Sequence, residues 1–163
     1  MPLSELDRRT IAEFREWFEG QLAGDRRFVG VERFDRPDES TLATRFAASE
    51  RVWFELALRP LIPQVRAGIL TDDRWKSEEL EEAIEESGDT MVEFIEQGFA
   101  DADLDWPEPP VEHYRDQGKF FYFATPLEIR SLTDLSDPHT RDKAKRMLEG
   151  YCHAFGHRVF RRV

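Results

Sequence analysis

Apolar residues recur along the chain at two spacings, one typical of helices and one typical of strands. Near the start they return every three or four residues, which predicts a helix over about 4–23 that begins with a capping-box-like pair, Ser4 and Asp7. Over 51–59 they alternate with other residues instead, which predicts a strand with one face in the core. The predicted buried face comprises Val52, Phe54, Leu56 and Leu58, and the predicted exposed residues are Glu55 and Arg59.

Four further segments have the composition of strands, and turn residues join them in pairs. The segments 26–34 and 41–47 flank a turn at 36–40, which predicts one hairpin. The segments 111–115 and 119–130 flank a second short turn, which predicts another. Hairpins join antiparallel neighbours, so the sheet is predicted to be antiparallel.

The apolar segment 61–70 is harder to interpret because prolines interrupt it. Pro60 and Pro63 lack the backbone N–H that a sheet ladder requires. This segment is therefore predicted to be at best an edge strand or a bent continuation of the preceding strand.

Two helices are predicted in the remainder of the chain. The segment 74–97 keeps one helical register and predicts a long, kinked helix ending near Gly98, with a break into two helices at Gly88 as the alternative. A final helix begins with Asp137 as its cap and is predicted to stop at Gly156.

These elements predict a single α+β domain over 1–163, in the order α-β-β-β-α-β-β-α. An antiparallel sheet of about five strands is expected to pack against the helices, because hairpins dominate the connections. A Rossmann-type fold is excluded, and no Gly-rich loop joins a strand to a helix as phosphate binding would require.

The composition narrows the classes of partner. The formal net charge is −11, and the acidic residues concentrate in 72–108, which argues against nucleic acid as the principal partner. No segment approaches the ~20 apolar residues of a membrane span, and the first residues are charged where a signal peptide would be apolar. With a single cysteine as well, we expect a cytoplasmic protein that binds neither nucleic acid nor a membrane.

One acidic loop has part of the spacing of a calcium site. Asp101, Asp103 and Asp105 are spaced like the first three ligands of a calcium loop, and Glu112 falls at its twelfth position. The sixth position, which needs glycine for a sharp turn, holds Trp106. A solvated acidic loop is therefore the favoured interpretation.

A second candidate metal site lies on the final helix. Glu149, His153 and His157 would share one edge of an unbroken helix, but Gly156 is expected to unwind the chain before the last of them. Cys152 lies on the apolar stripe of that helix, so we expect it to be a buried hydrophobic residue. No catalytic residue, metal ligand or cofactor is predicted.

Aromatic residues on strands are the most informative feature. Phe120 and Tyr122 belong to a run of four rings that occupies both faces of a strand, and Trp53 lies on the otherwise polar face of its own strand. The second aromatic face is either covered by a helix of the same chain or presented to a partner. Trp106, in a proline-rich loop, is the other candidate contact, so these four residues are the predicted protein-binding residues.

The element order, the acidic balance and the segment KFFYFATPLEIR before a capped final helix resemble the type III secretion chaperone-like fold. The resemblance is greatest to its YbjN-like branch of small bacterial proteins. It implies an antiparallel sheet packed on helices, dimers, an extended client peptide held on apolar patches, and no catalytic residue. The chain departs from that fold at Pro60 and Pro63 and in its prolonged acidic segment.

The function expected from these observations is non-enzymatic protein binding of a chaperone-like kind. The partner is a second copy of the chain or a protein or peptide client, and the homodimer is expected to use apolar surface from the strands or the first helix. The alternative is a small metal-dependent hydrolase or cation-binding protein that uses His153 and His157 or the loop Asp101–Asp105.

Overall fold

A computed structural model describes residues 2–160 of the chain; Met1 and 161–163, which the predicted domain includes, lie outside the described residues. Six antiparallel strands form one sheet in the order β1-β2-β3-β4-β6-β5, and helices cover one of its faces. The strands are β1 (Gly30–Asp35), β2 (Leu42–Ser49), β3 (Val52–Arg59), β4 (Gln64–Thr71), β5 (Glu112–Asp116) and β6 (Phe120–Glu128). The helices are α1 (Glu5–Gln21), α2 (Arg74–Ser87), α3 (Met91–Asp101) and α4 (Pro138–Val159), with a 3₁₀ helix at Leu132–Ser136.

Helix α1 forms where its sequence predicts it. The Ser4 hydroxyl accepts a hydrogen bond from the Asp7 backbone N–H, and the Asp7 carboxylate accepts one from the Ser4 N–H, so the predicted capping box is present. Its buried face includes Phe14 and Phe18, and the Phe18 ring lies 6.0 Å from that of Phe46 on β2. The helix is therefore fixed to the β2 side of the sheet.

The prediction for segment 61–70 is wrong. Strand β4 lies in the middle of the sheet, between β3 and β6, and all eight of its residues are buried. Pro60 and Pro63 lie in the turn before Gln64, so they remove no hydrogen-bond donor from the ladder. The sheet has six strands in the described residues instead of about five, and the chain order gains one strand and one helix.

The single long helix over 74–97 is also wrong, and the alternative of a break is confirmed. Gly88 adopts a left-handed conformation with φ of 78° that ends α2, and Thr90 begins α3 with a second capping box. Gly98 does not end a helix: it lies inside α3, where an added Cβ would come within 2.5 Å of the Gly150 carbonyl oxygen of α4. Helix α4 likewise continues through Gly156.

The core lies between the sheet and the helices. Strand β3 contributes its predicted alternating residues, all of them buried, to one cluster with residues of α1, α3 and α4. The prediction that Glu55 and Arg59 are exposed is wrong, because Glu55 is buried on the opposite face and Arg59 is half-buried. The largest fully buried core side chains include Phe14, Phe18, Phe46, Phe54, Ile69, Phe123, Tyr151 and Phe155.

The sheet curves strongly away from the helices. Strands β1 and β5 are its two edges, five steps apart, and a flat sheet would separate them by roughly 24 Å. The Arg36 guanidinium, one residue beyond β1, nevertheless lies 3.1 Å from the Asp116 carboxylate at the end of β5. Strand β6 also approaches β4 closely at Gly68, where an added Cβ would lie 2.3 Å from the Phe123 carbonyl oxygen.

The curvature decides how the second aromatic face is covered. Among the described residues no helix covers it, and side chains of the sheet itself fill the concave face and bury one another. Among residues 2–160, no helix combines the length and the apolar character that crossing a membrane requires.

Candidate functional site

Three of the four predicted binding residues meet on the concave face, which is the sheet face that points away from the helices. Trp53, Phe120 and Tyr122 pack around a small cluster that contains Leu70 and Ala124. The cluster consists of strand residues, and it is separate from the main core between the sheet and the helices. The sequence therefore identified the aromatic content of this face from alternation along each strand.

Trp106 lies elsewhere. It follows α3 and stacks on Phe99, with ring centroids 5.8 Å apart. The Lys143 ammonium lies 4.0 Å from the centre of the Trp106 ring. Trp106 thus covers the helical side of the core and is separated from the other three residues.

A buried ion pair forms the centre of the concave face. Arg45 on β2 and Glu55 on β3 face each other directly in the ladder, and each residue is only 6% exposed. The Arg45 Nε donates to Glu55 Oε2 at 2.8 Å, and the Tyr122 hydroxyl donates to the same oxygen at 2.9 Å. The Arg45 Nη2 also donates to the Tyr122 hydroxyl at 3.2 Å, which closes a three-residue network.

Two aromatic rings enclose the Arg45 guanidinium. Its central carbon lies 4.2 Å from the centre of the Phe34 ring and 4.5 Å from that of Phe120. Phe34 belongs to edge strand β1, whereas Phe120 belongs to β6 near the opposite edge. Cation–π attraction to both rings therefore holds the two ends of the curved sheet together over Arg45.

Burial changes the acidity of this network. It raises the pKa of the Glu55 carboxyl group above the ordinary range, although Arg45 and the Tyr122 hydroxyl both act to lower it. Burial also raises the pKa of Tyr122, and the neighbouring Glu55 charge adds to that effect. Tyr122 is therefore a neutral hydrogen-bond donor at physiological pH.

A second arginine lies further along the same face. Arg66 on β4 is buried, and its Nη1 donates to Glu112 at 2.9 Å and to Gln64 at 3.2 Å. Its guanidinium lies 5.2 Å from the ring of Tyr114, which stacks parallel to Tyr122 at 5.0 Å. The interior of the curved sheet is therefore polar and aromatic, unlike the apolar core beneath it.

A small pocket opens beside the ion pair, and we call it the rim pocket. It has a volume of about 250 Å³ and lies where the β1–β2 turn approaches the β5–β6 turn. Arg45, Glu55 and Tyr122 lie at its inner end. Its other walls include Phe34, Arg36, Thr41, Asp116, Gln117 and Phe120.

Strand β1 forms an exposed edge next to this pocket. All six of its residues are exposed, and it pairs only with β2 among the described strands. Val29 and Val31 are 69% and 50% exposed, and Phe34 is 41% exposed. Large apolar side chains thus lie exposed along β1 and directly before it, with Phe34 on the concave face and Val31 on the opposite face.

Helix α1 holds β1 in place from below. The Arg33 guanidinium lies 2.7 Å from Glu19, and the Arg15 guanidinium lies 2.9 Å from Asp35. Both pairs join α1 to the helix-facing side of β1. The edge is therefore attached to the body of the protein, although no described strand lies beside its outer backbone groups.

The candidate metal residues do not form a ligand set. Glu149 is bound by Arg27 at 2.7 Å, and His153 and His157 are exposed on α4. Asp103 in the acidic loop lies 3.9 Å from the Arg146 guanidinium. Residues 2–160 contain no group of three or more His, Cys, Asp or Glu side chains placed to hold one metal ion.

Cys152 is buried in α4, where the sequence predicts a hydrophobic role for it. Burial raises the pKa of its thiol, which keeps the thiol protonated at neutral pH. A thiolate nucleophile is therefore not formed here.

Sequence reasoning missed the residues that make the concave face distinctive: Phe34, Arg45, Glu55 and Arg66. A usable signal existed for one of them, because Arg45 alternates with the apolar residues of its strand and therefore lies on the face opposite the core. Its pairing with Glu55 depends on the register of β2 against β3, which the sequence does not specify.

Comparison with protein-family models, with curated proteins and with solved structures gives no match for this chain. The resemblance to the type III secretion chaperone-like fold therefore stays a prediction. We infer the function from the geometry of the concave face and of β1.

Proposed function

We propose that this chain is a protein-binding domain that self-associates through β1, with a second copy adding its own β1 as a neighbouring strand. The observation that supports this most is the exposed β1 edge, which carries apolar side chains and alternating charges. Edge strands are the part of a sheet that pairs most readily with another chain.

The backbone pattern of β1 determines which groups a partner would meet. The Arg36 N–H donates to the Thr41 carbonyl oxygen at 2.9 Å, so Arg36 faces β2 with its backbone groups. Hydrogen-bonded and non-hydrogen-bonded positions alternate in an antiparallel pair, so Phe34 and Glu32 face β2 in the same way. The N–H and C=O groups of Arg33 and Asp35 therefore point outward and are available to a partner strand.

The charges of β1 favour one antiparallel register with a second copy. A twofold axis at Phe34 would put Arg33 opposite Asp35 of the partner subunit and Asp35 opposite Arg33 of the partner subunit. Glu32 would lie opposite Arg36 of the partner subunit, and the two Phe34 rings would lie side by side. Opposite-charge and aromatic cross-strand pairs each contribute roughly 0.2–1 kcal/mol.

Neighbouring registers are disfavoured by the same side chains. An axis at Glu32, Arg33 or Asp35 would place each of these residues opposite its own copy, and like charges directly opposite one another destabilise a pair. Charge therefore favours the arrangement centred on Phe34 over these three registers.

The test reverses the charge of one β1 residue that makes no ion pair within residues 2–160. Glu32 makes no ion pair within residues 2–160, so Glu32→Lys is expected to leave the fold intact while placing Lys opposite Arg36 of the partner subunit at two symmetric positions. The matched control is Glu50→Lys, an exposed acid in the β2–β3 turn with the same change of charge.

Light scattering coupled to size exclusion gives the result for each protein. We expect twice the chain mass of 19.2 kDa for the wild type and for Glu50→Lys, with at least tenfold weaker association for Glu32→Lys. A single-chain mass for the wild type at tens of micromolar, or equal masses for both variants, would contradict the proposal.

A further inference from the structure

We propose that the rim pocket is a binding site for a small carboxylate, formed entirely by one chain. The inference does not rest on the proposed self-association. It starts from the hydrogen-bonding groups that line the pocket and from those that already have partners.

The two arginines that line the pocket keep side-chain donors without a partner among residues 2–160. Arg45 uses Nε and Nη2 within the network, and its Nη1 has no hydrogen bond to any residue in 2–160. The Arg36 side chain donates hydrogen bonds only through Nη2, to the Asp116 carboxylate. Its Nε and Nη1 have no partner among residues 2–160. The side chains of Thr41 and Gln117 add two more groups that can donate.

Each carboxylate that lines the pocket accepts a hydrogen bond from an arginine. Both Asp35 oxygens accept from Arg15, and both Asp116 oxygens accept from Arg36. Glu55 Oε2 accepts two hydrogen bonds, and only its Oε1 has no hydrogen bond within residues 2–160. An entering ligand therefore meets guanidinium and hydroxyl donors, which are the partners of an anion.

The charges of the pocket do not oppose an anion. Each of its three carboxylates is paired with an arginine, so the walls are neutral as a whole. Arg36, at the mouth, has Nε and Nη1 without a partner among residues 2–160, and each can donate one charge-assisted hydrogen bond to an anion.

Size and lining restrict the ligand further. A volume of about 250 Å³ lies below the usual range for drug-sized ligands, which suits a molecule with one ring or a short chain. The rings of Phe34 and Phe120 form apolar walls beside the arginines. The pocket thus fits a carboxylate attached to a compact apolar body.

Benzoate is the probe, and benzamide is its uncharged match. Backbone amide shifts in a two-dimensional ¹H–¹⁵N NMR titration report both the affinity and the location. We expect benzoate to saturate with a Kd of about 1 mM and to shift the amides of Arg36, Thr41 and Gln117. Benzamide should bind at least tenfold more weakly, and inorganic phosphate, as a separate arm, reports binding of any anion.

Two variants of the Arg36–Asp116 pair distinguish direct contact with the ligand from a merely structural role of the pair. Arg36→Gln removes the guanidinium charge and should weaken benzoate binding at least tenfold, whereas Asp116→Asn removes the competing carboxylate charge and should strengthen it. A merely structural role for the Arg36–Asp116 pair predicts that both variants lose binding. Arg51→Gln, which changes an exposed arginine paired with Asp72, is the control and should leave the Kd unchanged.

The titration is repeated in Glu32→Lys, so that its outcome does not depend on self-association. Equal affinity for benzoate and benzamide, phosphate binding as tight as benzoate, or shifts outside the pocket would each overturn the proposal. So would weaker binding in Asp116→Asn, or no saturable shift up to about 20 mM.

Discussion

Removing the Glu55 carboxylate tests whether the concave face stabilises the fold through a compensated buried charge. In Glu55→Ala, Arg45 keeps its charge at 6% exposure and loses its only carboxylate partner among residues 2–160. The Tyr122 hydroxyl loses its acceptor as well. Breaking a buried ion pair at one partner costs about 3–5 kcal/mol, so the free energy of unfolding should fall by that amount.

The double variant Arg45→Met with Glu55→Leu separates the cost of an isolated charge from the value of the pair. Replacing both partners by apolar residues of similar volume is often neutral or stabilising. We therefore expect the double variant to recover at least about 2 kcal/mol relative to Glu55→Ala. Glu39→Ala, which breaks the exposed pair with Arg8, is the control and should be close to wild type.

Guanidinium denaturation at neutral pH, followed by tryptophan fluorescence, measures all four proteins. A loss below about 1 kcal/mol for Glu55→Ala would refute the assignment of a buried, charge-compensated pair. A double variant that is less stable than Glu55→Ala would refute the argument that the cost comes from the uncompensated Arg45 charge.

Three further predictions concern the core, the pH dependence and calcium. Leu56→Ala should lower the free energy of unfolding by about 2–5 kcal/mol in chemical denaturation, because Leu56 is packed in the core, and a loss below about 0.5 kcal/mol would contradict its placement. The hydrogen bond from Arg27 lowers the pKa of Asp25, so its stabilisation is complete above the ordinary value of 3.8 and is lost as the pH falls. Asp25→Asn should therefore flatten the loss of stability in melts below about pH 4, and an unchanged slope would count against the pairing. Calcium at about 1 mM should leave the Tm unchanged, because Trp106 occupies the position where a calcium loop needs glycine; a rise that Asp103→Ala abolishes would restore the calcium hypothesis.

The sequence predicted features that depend on neighbouring residues. The capping box at Ser4 and the buried alternation of β3 each follow from a few consecutive side chains, and both are present. The position of β4 was missed because it depends on whether Pro63 falls inside the strand or one residue before it. A boundary of one residue decides between an edge strand and a central one.

The concave face was only partly predictable because its contacts join distant strands. Alternation placed Trp53 on the concave face, but the curved sheet also brings together strands that are far apart in the chain, such as β4 and β6 at Gly68. The burial of Glu55 depends in turn on Arg45, which lies ten positions away along the chain and directly opposite in the ladder. No local pattern contains this register.

The most direct test of the proposed self-association is disulfide formation between two copies of β1. A twofold axis at Phe34 makes that residue a non-hydrogen-bonded pair with its own copy, about 4.5 Å apart at Cα, which is within disulfide range. The same register separates the two copies of Val31 by roughly 20 Å. Cys152 is 4% exposed, so the native thiol does not compete.

The measurement compares Phe34→Cys with Val31→Cys after mild oxidation. The mass of each protein is determined in the absence of reductant. We expect Phe34→Cys to convert to a covalent dimer of twice 19.2 kDa, while Val31→Cys stays a single chain. A Phe34→Cys protein that remains at 19.2 kDa, or a Val31→Cys protein that cross-links equally well, would contradict pairing through β1 in this register.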